Sequence, residues 1–497
     1  MIYHEMGGGI QYLQHCERKP NMQKSQHLPE ALGEYAHRKV ARFHMPGHKG
    51  RGMGGFFRED LIGWDVTELS FSDDLHAPEA AIAHAQKECA LRFGAAHTFF
   101  LVNGSTAGIL AMLLSLPQGA DVLIGRDCHR AALSGIALSG HNCRFVEPAY
   151  DPSLDLWGCV TPEALHRALC EHPAQAVLVT SPNYYGLCAD IPALYEVACR
   201  HGALLFVDAA HGAHFAFSQL LPESPAGCAD AWVHSAHKTL NALGQAALLH
   251  IGPRMPVFAV QRALSLVQTS SPSYLLLASL DWARYTAELN DCWTTTANAC
   301  ASLTDKMAEI LGIRVLPRTL IGTVGVADMD RTRIVIDVAG RGITGYTAQR
   351  ALERHDVFVE MADSRRIVCI CTPADDPAWY DMLLNAMRTL PYGTQVPEQT
   401  SHGLRLRRAM PLHEAVRAEV ERLPLRACAG HIAADAAGIY PPGIPLWMPG
   451  ECISAEAIAF LSAQLALGAS LFGITDGKAT VVRDHAAAVQ QYISAQA

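Results

Sequence analysis

Six short apolar runs, separated by longer mixed segments, constrain the fold of this chain most strongly. Each run is rich in Val, Leu, Ile or aromatic residues, as buried strands are. In chain order they read TFFLV, DVLIG, AVLVT, ALLFVDAA, AWVHS and AALLHI. Helical patterns lie between them, among them GILAMLLSL, TPEALHRALCEH and IPALYEVACRHG. The alternation predicts an α/β fold with a mainly parallel sheet covered by helices on both faces.

Two further regions follow this α/β segment. A second set of strand-like runs, RTRIVIDVAG, DVFVEMAD and RRIVCICTP, alternates with helical stretches and predicts a smaller α+β domain. Beyond it, the prolines of GIYPPGIPLWMPGE interrupt regular structure and indicate a third, small domain. The predicted divisions are an N-terminal extension and arm at 1–40, a large domain at 41–300, a small domain at 301–395 and a C-terminal domain at 396–497.

Charge and cysteine usage exclude several classes of function. The 497-residue chain has a formal net charge of -9 with dispersed Lys and Arg, which argues against nucleic acid as a partner. No apolar run reaches the ~18 residues that a membrane span needs. The 15 cysteines contain no Cys-x-x-Cys pair, and neither they nor the N-terminus suggest secretion. We expect a soluble cytoplasmic protein with reduced thiols and no metal; whether residues 1–21 belong to the native protein is open.

Polar residues at the predicted strand ends are the candidate site, because ligands of such sheets bind at the carboxyl ends of the strands. Lys238 follows the AWVHS run, and Asp208 ends the ALLFVDAA run, with His211 three residues further on. Gly104, Ser105 and Thr106 lie between a strand and a helix start. Backbone amides at a helix start favour an anion such as phosphate.

These features together fit one ligand, pyridoxal 5′-phosphate (PLP), which carries a phosphate, a ring nitrogen and an aldehyde. Lys238 would hold the aldehyde as a Schiff base, and Asp208 would keep the ring nitrogen protonated. Ser105, Thr106, Ser235 and His237 would hold the phosphate. Taken singly, each feature is also compatible with an ordinary surface or helix-capping residue. Their order on successive strand–helix units favours the cofactor.

Several longer motifs resemble one known family. They are ARFHMPGHKGRG, ELSFSDDLHAPEAAIAHAQ, FGAAHTFFLVNGSTAGILAML, RDCHRAALSG, TSPNYYG, VDAAHGAHF, HSAHKTL and YPPGIPLWMPGE. In this order they are similar to the Orn/Lys/Arg decarboxylases, PLP enzymes of the aspartate-aminotransferase (type I) fold, in the short bacterial form typified by arginine decarboxylases. The resemblance implies a seven-stranded sheet in the large, PLP-binding domain.

The resemblance also assigns roles to individual residues. His129 is expected over the cofactor ring, and His211 beside the ring or the phosphate, although His211 would fit a helix cap nearly as well. Ser270 and Ser271 would close the phosphate site of a neighbouring subunit, which makes a homodimer or a higher homo-oligomer the expected assembly. The residue that returns a proton to Cα is either Lys238 or His129.

The implied reaction is decarboxylation of a basic amino acid for polyamine synthesis: arginine to agmatine first, then lysine to cadaverine or ornithine to putrescine. A cationic side chain needs a carboxylate at the far end of its pocket. The candidates are Glu451, which is the first choice, and Asp73, Asp74 and Glu360. Another type I PLP enzyme, an aminotransferase or lyase, and a regulator that has lost the chemistry are the alternatives.

Overall fold

The computed structural model describes residues 35–36, 38–51, 62–69, 71–394, 404, 406–441 and 443–483. The chain divides into a short unit, Met1–Lys39, and a main unit, Val40–Ala497. Of the predicted N-terminal extension at 1–40, only residues 35–36 and 38–40 are described. Within the described part, no helix has both the length and the apolar character needed to cross a membrane.

A seven-stranded sheet forms the centre of the main unit, in the order β1-β7-β6-β5-β4-β2-β3. Its strands are β1 (His97–Leu101), β2 (Asp121–Gly125), β3 (Asn142–Val146), β4 (Ala176–Thr180), β5 (Leu204–Asp208), β6 (Ala231–His234) and β7 (Ala247–Ile251). β7 runs antiparallel to both of its neighbours, and the other pairs are parallel. The predicted mainly parallel, seven-stranded sheet is confirmed.

Thirteen α-helices lie in the described residues. They are α1 (Ala81–Phe93), α2 (Gly104–Leu114), α3 (Arg130–Ser139), α4 (Pro162–Glu171), α5 (Ile191–Arg200), α6 (Ala236–Thr239), α7 (Val257–Val267), α8 (Tyr274–Ala287), α9 (Cys292–Ala308), α10 (Gly345–Glu353), α11 (Pro377–Arg388), α12 (Leu412–Ala415) and α13 (Ala455–Leu467).

Side chains of the central strands alternate between two apolar layers. In β5, Phe206 packs into the layer that contains α2 and α3, whereas Leu205 and Val207 pack into the layer that contains α4 and α5. All three are fully buried. Burial of such a side chain contributes about 1.5–3 kcal/mol, so the two layers stabilise the sheet from both faces.

A second sheet of four strands, in the order β8-β9-β11-β10, lies beyond α9. Its strands are β8 (Arg314–Val315), β9 (Arg333–Asp337), β10 (Met361–Ala362) and β11 (Arg366–Ile370). A separate pair joins Ala41–Phe43 in parallel to Val357–Val359. The residues just after the predicted boundary at 40 are thus paired with the smaller α+β region, and α9 runs across the predicted boundary at 300. The domain limits stay predictions.

The C-terminal region has two three-stranded sheets beside α13. One contains Val420–Pro424, Ile474–Thr475 and Lys478–Val482, and the other contains Ala437–Tyr440, Pro445–Trp447 and Ser470–Phe472. Two further pairs of short antiparallel strands join Leu187–Ala189 to Val326–Met329 and Tyr150–Asp151 to Leu156–Trp157. An ion pair described below connects this region to the loop after β2.

Candidate active site

Lys238 and Asp208 are brought together by neighbouring parallel strands. Asp208 ends β5 and is in register with Val233 of β6, so the two parallel strands end at the same edge of the sheet. The backbone N–H of Ser235 then donates to the carbonyl of Ala210 at 3.2 Å, which keeps the segments after the two strands side by side. The short helix α6 begins at Ala236, and its single turn carries Lys238.

Lys238, His211 and Arg333 form a chain of hydrogen bonds. Lys238 Nζ lies 3.0 Å from His211 Nε2, and Arg333 Nη2 lies 3.1 Å from His211 Nδ1. Arginine is always a donor, so His211 Nδ1 must accept and, in the neutral ring, Nε2 carries the proton. That N–H can donate only to a lone pair on Lys238 Nζ. The arrangement therefore favours the neutral amine of Lys238, which is its nucleophilic form.

The pKa values of Lys238 and His211 are also shifted in favour of the neutral amine. Burial lowers the pKa of Lys238; Asp208 and Glu360 oppose this shift, and Arg333 adds to it. Burial, followed by the charges of Lys238 and Arg333, holds the pKa of His211 well below its usual range. A neutral imidazole next to an amine that loses its proton readily is suited to attack on an aldehyde.

Asp208 and His129 complete this edge of the sheet. Asp208 is buried, and its Oδ1 accepts a hydrogen bond from the N–H of Ala210 at 3.1 Å. His129 caps α3, with Nδ1 accepting from the N–H of Ala131 at 3.2 Å, so Nε2 carries the proton of the neutral ring. Burial lowers the pKa of His129, and the charge of Asp208 opposes that shift. The Nε2–H of His129 is thus a fixed hydrogen-bond donor.

The start of α2 offers an anion site next to Lys238. Gly104 begins the helix with φ of 72°, and no side chain caps the helix start. Ser235 Oγ donates to Ser105 Oγ at 2.7 Å, which joins the loop before Lys238 to the first turn of α2. Thr106 is exposed in the same turn. His237 Nδ1 donates to the carbonyl of Ala246 at 3.0 Å, so its Nε2 is the nitrogen left for a ligand.

These residues fit PLP. Uncapped N–H groups and two serine hydroxyls suit the phosphate, a buried carboxylate suits the protonated ring nitrogen, and a lysine that favours its neutral form suits the aldehyde. A Cβ added at Gly104 would have no neighbour within 4 Å, so the space before the helix start is open. Sequence reasoning named every member of this set. It did not identify Arg333, whose only signal is a charged residue at the start of a strand.

The N-terminal HMPGHKG motif forms one wall of the site. Gly47 donates its N–H to the carbonyl of His237 at 2.8 Å and accepts from Thr372 Oγ1 at 2.8 Å. A Cβ at Gly47 would lie 2.5 Å from the carbonyl oxygens of Thr239 and Leu240, so the position requires glycine. The motif therefore fixes the helix that carries Lys238.

Glu360 lies in the same wall and connects it to Tyr184. Its Oε2 accepts from the N–H of Met45 at 2.8 Å, and its Oε1 accepts from the hydroxyl of Tyr184 at 2.5 Å. The Tyr184 ring is 4.8 Å from the ring of His211 in an edge-on arrangement. Glu360 is also one of the two carboxylates that oppose the lowering of the Lys238 pKa.

Glu451, the first choice for the acceptor of the substrate side chain, is already engaged by an arginine. Glu451 is 4% exposed and binds Arg126 through both oxygens, at 2.7 and 2.9 Å. The turn at Gly450 directs the carboxylate back, so that Oε2 also accepts from the N–H of Met448 at 2.8 Å. Its charge is already compensated. Since Arg126 directly follows β2, the C-terminal motif instead holds the loop that carries His129.

The remaining predicted residues lie in two loops, one before α1 and one between α7 and α8. Asp73 accepts from the N–H groups of Glu79, Ala80 and Ile82 at 2.8–2.9 Å, so its carboxylate caps the start of α1. Asp74 accepts from the N–H of His76 at 2.8 Å in a local turn. Ser270 and Ser271 are exposed in the loop between α7 and α8. Their predicted role in a neighbouring subunit stays a prediction.

Asp127, which sequence reasoning did not single out, makes the folding stability depend on pH. Its Oδ1 is buried without a hydrogen-bond partner. Burial, with a contribution from Asp208, raises its pKa from 3.8 to about 7. The folded state thus binds the proton more tightly than the unfolded state. The stability that Asp127 contributes is complete below pH 3.8 and is lost as the pH rises towards about 7.

We expect Asp127→Asn to stabilise the protein at neutral pH and to change little at acid pH. At about 1.36 kcal/mol per pKa unit, the difference has an upper limit of roughly 4 kcal/mol. The measurement is the melting temperature of both proteins across the pH range, with Asp121→Asn, at the exposed start of β2, as the control. A constant difference at all pH values would contradict the shifted pKa.

The sequence matches the Orn/Lys/Arg decarboxylase major domain over residues 27–314 and the C-terminal domain of the same family over residues 399–492. It is 34% identical to the arginine decarboxylase of Bacillus subtilis, covering 92% of this chain and 98% of that one. It is 33% identical to the arginine decarboxylase of Halalkalibacterium halodurans, covering 94% of this chain and 100% of that one.

The fold resembles lysine decarboxylase A from Pseudomonas aeruginosa with a TM-score of 0.73 and 20% identity, over 91% of this chain and 80% of that one.

Proposed function

The chain belongs to the Orn/Lys/Arg decarboxylase family, and from this premise we propose that it converts arginine to agmatine and carbon dioxide. It is a PLP-dependent decarboxylase of basic amino acids with the type I fold. The named relatives at 33–34% identity over most of both chains are arginine decarboxylases, which supports arginine as the substrate. The observation that carries the proposal is the half-buried Lys238 amine, which lies 3.0 Å from His211 Nε2.

The test is an assay of purified protein and PLP with arginine, lysine and ornithine, measuring both carbon dioxide and the amine product. We expect agmatine from arginine at a kcat/KM at least about tenfold above that of the other two substrates. Release of a keto acid without carbon dioxide would instead indicate an aminotransferase. A protein that binds PLP and releases no product from any of the three would indicate a regulator.

The chain's own residues account for the chemistry as follows. PLP, when bound, supplies an aldehyde for covalent capture of the amino group and a ring that accepts electrons as the carboxylate leaves. Asp208 would hold a proton on the ring nitrogen, which would keep that ring electron-poor. Lys238 provides the neutral amine, and the Nε2–H of His211 orients its lone pair. Lys238 or His129 returns a proton to Cα, since both carry a proton that can face this edge of the sheet.

Arg333 is a positioning residue, because it acts on Lys238 through His211. Its charge lowers the pKa of Lys238, and its hydrogen bond fixes the tautomer of His211. We expect Arg333→Gln to shift the pH dependence of PLP attachment to the apoprotein towards higher pH, because the pKa of Lys238 rises when this charge is removed. The rate is followed by the visible absorbance of the lysine-bound cofactor. Arg331→Gln, an exposed arginine two residues away, is the control, and an unshifted profile for Arg333→Gln would remove the proposed role.

Glu360 is the proposed acceptor for the distal cation of the substrate. Among the four predicted carboxylates it is the one that acts on the pKa of Lys238, and each of its oxygens keeps a lone pair beyond the bonds to Met45 and Tyr184. We expect Glu360→Gln to raise KM for arginine by roughly 10- to 150-fold, the equivalent of about 1.5–3 kcal/mol for a charge-assisted hydrogen bond.

The control for Glu360 is Asp74→Asn, which removes a carboxylate engaged only in a local turn. The absorbance of bound PLP should be the same in both variants. If Asp74→Asn raises KM and Glu360→Gln does not, the distal end of the pocket lies on the side of the loop before α1.

The assembly and setting are part of the same proposal. We propose a homodimer in which the loop with Ser270 and Ser271 reaches the phosphate site of the second subunit, since that loop is exposed in the single chain. The 14 cysteines in the described residues are unpaired, which supports a reducing compartment such as the cytoplasm. Agmatine produced there would serve polyamine synthesis.

A further inference from the structure

A cluster of His and Cys side chains lies outside the active site, on the helices that cover one face of the sheet. His166 and Cys170 are on α4, and His201 directly follows α5. The burial of Leu165 and Leu169 determines the orientation of α4. His166 and Cys170 each follow one of these leucines, so they share a neighbouring, exposed stripe of the helix.

The three side chains converge at ligand distance. His166 Nδ1 lies 2.9 Å from His201 Nε2 and 4.0 Å from Cys170 Sγ. One nitrogen or sulfur atom from each residue lies within 4.8 Å of the others. A tetrahedral Zn²⁺ ion, with bonds of about 2.0–2.1 Å to nitrogen and about 2.3 Å to sulfur, holds its ligand atoms roughly 3.3–3.6 Å apart. Small rotamer changes would bring the observed distances to these values.

The helix ends add a second, independent feature. Cys170 is in the last turn of α4, and His201 is the residue that caps the end of α5. The carbonyl end of a helix carries partial negative charge, and two such ends meet here, which favours a cation. Thiolate and imidazole together are typical ligands of zinc rather than of magnesium or calcium.

We propose that His166, Cys170 and His201 bind one Zn²⁺ ion, which connects the end of α4 to the end of α5. Three protein ligands leave the fourth position for water. Since α4 and α5 pack against the same face of β4 and β5, the ion would cross-link two helices that support the strand carrying Asp208. The inference is independent of the substrate proposed above.

The test uses the holoenzyme, freed of metal with a chelator and kept saturated with PLP so that the active-site histidines are covered. Zinc is titrated in competition with a chromogenic chelator. We expect one equivalent to bind to the wild type, and His166→Ala, His201→Ala and Cys170→Ser each to weaken it about tenfold or more. His172→Ala removes an exposed histidine at the same end of α4 and should bind zinc as the wild type does.

Cobalt gives a second measurement that identifies the sulfur ligand. The Co²⁺-loaded wild type should show a thiolate-to-metal absorption band, and Cys170→Ser should lose it. The PLP absorbance and the melting temperature of the metal-free variants should equal those of the wild type, because His166 and Cys170 are exposed and His201 is only half-buried. Unchanged zinc affinity in the three variants, or a cobalt band that persists without Cys170, would overturn the site.

Discussion

Replacing Lys238 by alanine is expected to lower kcat for arginine decarboxylation by at least ~10³-fold, since proton transfer alone contributes about 10²–10⁴-fold and covalent capture of the cofactor is lost as well. The fold should persist, because α6 is held by Gly47 and Ala246 through backbone bonds that the mutation does not touch. PLP should still bind at the start of α2, but without the visible absorbance of a lysine-bound aldehyde.

The experiment measures agmatine formation, the absorbance spectrum and the melting temperature. Lys306→Ala, at an exposed position of α9, is the control for loss of a lysine and should behave as the wild type. Near-normal turnover of Lys238→Ala would show that another amine captures the cofactor. Lys49 is a poor substitute, since its ammonium is buried and donates to the carbonyls of His44 and Ile370.

Much of the central sheet is visible in the sequence because its strands are buried on both faces. Continuous apolar runs such as AVLVT mark such strands, and six of the seven were identified from them. The seventh, Asn142–Val146, lies at the sheet edge and alternates exposed and buried residues, so it lacks this signal. The antiparallel direction of β7 was also hidden, because a run of apolar residues carries no information about strand direction.

The candidate cofactor residues could be proposed from the sequence because they lie at or after strand ends, whereas the contacts between them could not be predicted. Arg333 is 122 positions from His211 in the chain, and only the folded molecule shows their hydrogen bond. The ion pair of Glu451 was hidden for the same reason. A carboxylate after Pro-Gly in a C-terminal motif suggests a ligand-binding acid, but its partner Arg126 is 325 positions away.

The proposed zinc site illustrates a different limit. The spacing of His166 and Cys170, four residues apart on a helix, gives two ligands on one face. The third ligand, His201, follows a second helix, and no regular spacing relates it to the first two. Sequence reasoning that looked for paired cysteines therefore predicted no metal.

Asp208→Asn is the second change with a large expected effect, and it separates cofactor binding from cofactor activation. The amide has the size of the carboxylate and can still accept the N–H of Ala210, so PLP should bind and join to Lys238. It cannot hold a proton on the ring nitrogen, so the ring loses its capacity to stabilise negative charge at Cα. We expect kcat to fall by about 10²–10³-fold, or about 2.7–4 kcal/mol, as for loss of a preorganised charged group in a dry site.

The matched control for Asp208→Asn is Asp230→Asn. Asp230 is equally enclosed, 1% exposed, and accepts from the N–H of Leu205 at 2.7 Å at the opposite end of β5. Its replacement should lower the melting temperature and leave kcat of the folded enzyme unchanged, which distinguishes loss of a buried carboxylate from loss of the ring-nitrogen partner. A fall in kcat of less than about tenfold in Asp208→Asn, equivalent to about 1.4 kcal/mol, would mean that another group keeps the ring nitrogen protonated. Asp127, buried beside Asp208, would be the first residue to replace in that case.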